Sequence, residues 1–261
     1  MSFKDYCRRV LNEETDIVSV KAKLDAKKRG LKHQSHNVWK DKSGQEYKWN
    51  KVLKRFERIE NKSKEKKHFE FTRKTKKLED GTVLHQIRAT KDLPMHNVER
   101  GTVGGWIEKP ENLSDNAWVY RNAWVSEDAQ VSGNARVFGE AWIFGNAKIT
   151  GKAQVSEDAK VFGDAKVSGD AKVSGGAWVF DDAKIYGKAE VFGYAKVSGN
   201  VEIFGDAEVS ENAQVLGNAW VRGNAKVSGD AKAFGNVSGN SIISGNAKIS
   251  ENKIITSGEY K

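Results

Sequence analysis

From Asp115 to Phe234 the chain runs in sixes without a gap, from DNAWVY and RNAWVS to GDAKAF, 20 hexads in all. The third position is Ala in every hexad but the one holding Val201, and the fifth is Val or Ile in all but the one holding Ala233. The fourth position is polar or Trp. Two apolar residues flanking an outward one is a period-two pattern, which predicts a short strand with one buried face. The first position is Gly in 14 hexads and the second Asn or Asp in 15. Those residues tolerate positive φ, so each hexad is expected to end in a corner. Strand and corner repeated at a fixed short period predict a coil whose turns stack as parallel strands about 4.8 Å apart. Ala beside Val inside leaves a narrow interior that side chains fill.

Two weaker hexads extend the frame upstream, with Ile107 and Leu113 at position five. Downstream, Gly235-Asn236-Val237-Ser238 is two residues short before the frame resumes at Ile243, Ile249 and Ile255. A kink or lost corner is expected there. Phe69–Thr72 and Thr82–Ile87 read as strands around an Asp80-Gly81 turn, placed to cap the first coil. The chain therefore divides into a module over 1–67, a β capping segment over 68–102, a solenoid over 103–256 and a tail over 257–261.

This repeat resembles the left-handed parallel β-helix of the hexapeptide-repeat family, in which three hexads make one triangular coil. The resemblance implies a mainly β chain of about seven to eight coils, with left-handed crossovers. The lead-in from Leu84 to Glu108 is similar to that of phage and prophage hexapeptide-repeat proteins commonly labelled as transferases. Many family members are acyltransferases with a histidine base, and others hold zinc with three histidines. The histidines of this chain are His33, His36, His68, His85 and His96, all upstream of the repeat. Between Asp115 and Phe234 there is no His, no Cys and no inserted loop. The family's catalytic and metal-binding residues therefore transfer to no position, and no cofactor or metal is expected. The alternative is an acyltransferase whose inter-subunit site recruits His85 or His96.

Three hexads per coil place residues 18 apart on one outer face. Trp106, Trp124, Trp142 and Trp178 share such a face, with Lys160 in the gap. Position six of these hexads adds Phe144, Phe162 and Phe180. Trp118 and Trp220 fall on the other two faces. An exposed aromatic stripe reads as a surface for a protein partner or for self-association, so a homo-oligomer or a self-assembling structural protein is a further alternative.

Charge changes the picture at the other end. Residues 1–77 carry 24 Lys and Arg against 11 Asp and Glu, and residues 78–261 carry 20 against 24. A basic head on a nearly neutral arm suggests a polyanionic partner. Ser2 with Asp5 suggests a capping box for a helix to Leu11. A second helix is expected over Asp16–Arg29, stopped by Gly30. A third is expected from Trp49 to about Asn61, with Val52, Leu53, Phe56 and Ile59 as its apolar face. Lys27, Lys28, Arg29, Lys32, Lys48, Lys51, Lys54, Arg55 and Arg58 suit phosphate contacts, and Trp39, Tyr47 and Trp49 suit stacking on bases. The expected partner is nucleic acid or a nucleoprotein. One cysteine, no apolar run of about 18 residues and no signal-like N-terminus suggest a cytoplasmic protein, in the host cytoplasm if phage-encoded. Together with the phage resemblance, this suggests a non-enzymatic interaction protein, in its narrowest form a counter-defence inhibitor of a host nucleic-acid-targeting nuclease.

Overall fold

The computed structural model describes residues 32–35, 38–40, 46–50, 55–58 and 67–261. The chain divides into two compact units, residues 1–66 and 67–261.

In the first unit the described residues form a four-stranded antiparallel meander: β1 (Lys32–Ser35), β2 (Val38–Lys40), β3 (Glu46–Asn50) and β4 (Arg55–Arg58). This corrects the helix expected from Trp49 to Asn61. Tyr47, Trp49 and Phe56 favour strands, and the run from Glu46 to Asn50 alternates polar and aromatic residues. Register places Trp39 opposite Tyr47, Tyr47 opposite Arg58, and Trp49 opposite Phe56. Strand propensity and backbone pairing outweigh a helical reading based on apolar spacing alone. The two helices expected before Gly30 lie outside the described residues, as do Lys27, Lys28, Arg29, Lys51 and Lys54. Lys32 stands on β1, Lys48 and Trp49 on β3, and Arg55 and Arg58 on β4.

The second unit opens with a hairpin, β5 (Phe69–Lys77) and β6 (Val83–Ala89). Its turn is closed by Leu78 N–H to the Thr82 carbonyl at 2.8 Å and by Thr82 N–H to Asp80 Oδ1 at 2.8 Å. β6 pairs antiparallel with β7 (Val103–Ile107), and β7 starts the solenoid by pairing in parallel with the strand Trp124–Val125. The hairpin thus covers the N-terminal edge of one sheet with two further strands.

From Trp118–Val119 to Glu259–Tyr260 the chain is a three-sided parallel β-solenoid of about nine turns. Every third strand pairs, so one residue meets another 18 positions on: Trp142 lies opposite Lys160, and Val161 opposite Val179. The turn count slightly exceeds the seven to eight expected, and β7, the weaker upstream hexad with Ile107, is the first rung. Glu259–Tyr260, placed by the sequence in a tail, adds a rung below by pairing with Ile242–Ile243. Positions three and five point inward as the alternation requires. Each Ala from Ala117 to Ala231 at position three, and each Val or Ile from Val119 to Val227 at position five, is at most 1 % exposed.

The corners follow two rules. Most position-one residues are Gly at φ near 70°, with the position-one residue of the next turn, glycine or acidic, directly beneath. A Cβ on Gly151 would lie 2.9 Å from Gly169 N. Where position one is acidic, the residue adopts the same left-handed φ and its carboxylate accepts the N–H of the glycine one turn on. Asp115, Glu127, Glu157, Asp181 and Glu211 bind Gly133, Gly145, Gly175, Gly199 and Gly229 in this way, at 2.6–3.1 Å.

The short hexad removes a corner. Lys232–Ala233 runs into Asn236–Val237 with no intervening turn, and Val237 still meets Val221 in register. Asn236 Oδ1 accepts the Trp220 N–H at 3.0 Å, a role a position-three carbonyl plays in the other turns. Gly235 is required there, since a Cβ would lie 2.3 Å from the Ser250 carbonyl oxygen.

Candidate interaction face

The three faces differ in what they point outward. The first contains β7 and the strands of Trp124, Trp142, Lys160, Trp178 and Lys196 in direct succession. The aromatic stripe expected from the 18-residue spacing is thus a physical column. Trp142 and Trp178 are 37 % and 39 % exposed, whereas Trp106 and Trp124 are half-buried. Trp124 stacks on Trp142 with centroids 4.6 Å apart and planes 11° apart. Phe144, Phe162 and Phe180 form a second column beside it, stacked at 4.8 and 5.0 Å with planes within 3°. These separations equal the rung spacing of a parallel sheet, so planar side chains in register stack without distortion.

Lysines complete the first column. Lys76, from the end of β5, lies 3.8 Å from the centroid of Trp124. Lys160 lies 4.6 Å from Trp142 and 5.1 Å from Trp178, and Lys196 lies 5.4 Å from Trp178. The order along the face is therefore Lys76, Trp124, Trp142, Lys160, Trp178, Lys196. Each contact is worth about 0.5–1.5 kcal/mol. The π faces are engaged within the column, and what remains toward solvent is ring edges and ammonium groups. A face built this way suits packing against protein better than stacking of a free base.

Its charge is also distinctive. Outward positions four and six of this face, from Trp124 to Ser250, include Lys160, Lys196, Lys232 and Lys248 and no carboxylate. Those four lysines form no ion pair among the described residues. On the other two faces, lysines meet glutamates one rung away: Lys172–Glu190, Lys184–Glu202 and Lys226–Glu208, each at 2.8–2.9 Å. In the Lys184 pair, hydrogen bonds from Lys184 and then Tyr186 hold Glu202 below the usual carboxylate range.

Trp118, placed on an outer face by its position in the hexad, is fully buried. The capping segment folds over it, with the His68 ring 6.3 Å away. Gly104 permits this close fit, since a Cβ there would come within 2.7 Å of Trp118, Ile87 and the Val119 carbonyl. In the first unit Trp39 is 7 % exposed. Burial of this degree leaves little of the indole open to a stacking base.

The histidines of the second unit serve as packing and hydrogen-bonding groups. His85 stacks on Phe71 at 4.8 Å. His68 is buried with Nε2 2.8 Å from the Ala117 carbonyl oxygen. His96 is buried, and its Nδ1 accepts from Arg136 Nε at 3.2 Å. Burial, opposed for His68 by its bond to Ala117 and reinforced for His96 by Arg136, holds both rings below the ordinary histidine value. Sequence reasoning passed over Lys76, Lys196, Arg136 and the corner carboxylates. Lys196, Arg136 and the carboxylates sit at hexad positions four and one, so the 18-residue register carried a signal for them. Lys76 reaches Trp124 only through the hairpin.

The fold and this face define a parallel β-solenoid repeat protein. Residues 129–145 match the family model of the YdcK beta solenoid repeat. Comparison with curated proteins gives no match. Among the described residues, no helix is long and apolar enough to cross a membrane.

Proposed function

We propose that this protein acts by binding rather than by catalysis, with the first face of the solenoid docking a protein whose contact surface is acidic. The observation that supports this is the charge of that face: four lysines with no ion-pair partner among the described residues and no carboxylate at the outward positions, around exposed Trp142 and Trp178. Charge complementarity of this kind selects partners and speeds encounter. Edge-on indoles supply apolar area at the centre of such an interface. The solenoid, taken as left-handed by its resemblance to hexapeptide-repeat proteins, is the rigid arm. The basic head engages nucleic acid or a nucleoprotein through residues such as Lys32, Lys48, Arg55 and Arg58. Inhibition of a host nucleic-acid-targeting nuclease by a phage-type protein is the setting in which both halves act on one target.

The test uses the full chain as bait in native host extract treated with nuclease, beside two charge-reversed forms. One carries Lys196→Glu and Lys232→Glu on the first face, and the control carries Lys148→Glu and Lys166→Glu on the second. A protein captured by the parent and the control but lost from the first-face variant supports the proposal. Equal capture by both variants, or none, overturns it. Self-association of the chain alone that the first-face variant abolishes would assign the face to a second copy instead. For the head, affinity for short duplex and single-stranded nucleic acid should fall steeply between low and high salt.

A further inference from the structure

Arg136 stands at an outward position of the third face, directly beneath the turn that carries Met95 and His96. Its Nε donates to His96 Nδ1 at 3.2 Å, and its Nη2 donates to the Met95 carbonyl. Both acceptors are neutral. Among the described residues Arg136 forms no ion pair, so a half-buried guanidinium is held in place with its charge uncompensated. Removing a charge from water without a counter-ion is costly.

Space for one is present. Arg136 and Gln154 line two adjoining grooves on this face, of about 640 and 320 Å³. Arg121 and Asn122 join the first groove, and Lys152 and Lys172 the second. Glu140 and Asp170 are the only carboxylates lining them, against four cations. Lys172 is tied to Glu190, whereas Lys152 has no ion-pair partner among the described residues. A guanidinium has five N–H donors, and the cap engages it through two nitrogens, leaving donors for the grooves. A fixed fork beside an exposed ammonium and side-chain amides matches a tetrahedral oxyanion with several acceptors.

We propose that Arg136, with Lys152, forms a phosphate-binding site between the capping segment and the third face of the solenoid. The site is separate from the first face and does not depend on its role. Its ligand is a phosphate group, from a free mononucleotide or from a nucleic-acid strand.

The experiment uses the full chain and a readout local to the site, because the basic head also attracts polyanions. His96 touches Arg136, so an anion seated on the guanidinium offsets the positive charge beside the ring and moves the histidine's titration midpoint upward. NMR titration of the His96 ring is recorded in inorganic phosphate, in a nucleoside monophosphate, in a short single-stranded oligonucleotide, and in chloride at equal ionic strength. An upward shift with phosphate-bearing probes over chloride is expected, and the strongest probe tells free ligand from strand. Lys152→Gln, on an exposed side chain, should weaken the phosphate-induced shift of His96 several-fold, measured against the variant's own titration in chloride. Arg136→Gln should weaken binding by about tenfold or more. A His96 titration identical in phosphate and chloride overturns the proposal. So does an undiminished phosphate response in Lys152→Gln together with unchanged affinity in Arg136→Gln.

Discussion

Glu157 holds a left-handed backbone at φ 58° and uses its Oε2 to accept the N–H of Gly175, one turn on, at 2.8 Å. The contact explains how an acidic residue replaces glycine at position one. The left-handed region costs a non-glycine residue about 1–2 kcal/mol, and a carboxylate–amide hydrogen bond offsets much of it. Glu157→Ala keeps the strain and loses the bond, whereas Glu157→Gly loses both. Thermal unfolding is therefore expected to show Glu157→Ala less stable than Glu157→Gly by about 1 kcal/mol. Equal loss in the two would show that the backbone conformation carries no strain.

The interior should reject change that the surface tolerates. Val167 is fully buried between Ile149 and Ile185, while Lys166 is exposed between Lys148 and Lys184. Val167→Asp buries a carboxylate without a partner, at a cost of several kcal/mol. Ala165→Leu overpacks a column of buried side chains and should cost about 1–3 kcal/mol. Lys166→Asp inserts an opposite charge between two lysines and should be neutral or slightly stabilising. Melting temperatures of the three variants check the order. Damage from Lys166→Asp equal to that from Val167→Asp would reverse the inward and outward assignment.

The cap depends on Gly104. Gly104→Ala would drive a methyl group into Trp118, Ile87 and the Val119 carbonyl. The expected outcome is displacement of the cap from Trp118 with the repeat below intact. Amide exchange should rise across 68–102 and stay slow over 135–230. Unaltered exchange across the cap would contradict the close packing at Gly104.

His68 and His96 give the cap a pH dependence. Burial is the first cause in both, so both fold with values below the ordinary 6.5. The unfolded chain then binds more protons as the solution acidifies. Their contribution is fully present above about pH 6.5 and is lost as pH falls through the folded values. The unfolding midpoint should drop between pH 7.5 and pH 5, and a His68→Gln/His96→Gln double variant should drop less. A parallel drop in the double variant would place the effect on other groups.

Lys160 joins two indoles, lying 4.6 Å from Trp142 and 5.1 Å from Trp178. Lys160→Ala removes both contacts and is expected to cost about 1–2 kcal/mol, more than an ordinary surface lysine. Lys232→Ala, on the same face, is the reference in chemical denaturation. Equal costs would show that the column contributes nothing beyond exposed side chains.

The solenoid was legible because its information is local and periodic. Alternation decided which of Ala165, Lys166 and Val167 point inward, and the count of 18 decided that Trp124 and Trp142 meet. The fate of Trp118 was not legible, since residues some 15 to 50 positions upstream bury it. Nor was the placement of Lys76 on Trp124, the tethering of Arg136 by His96 and Met95, or the choice of strands for Trp49 and Phe56. Hexad position specifies a direction relative to one short strand, whereas these outcomes depend on which distant segment arrives to cover or pair with it. That is settled by packing across the whole chain, where buried area and hydrogen bonds gained over long separations outweigh local preference.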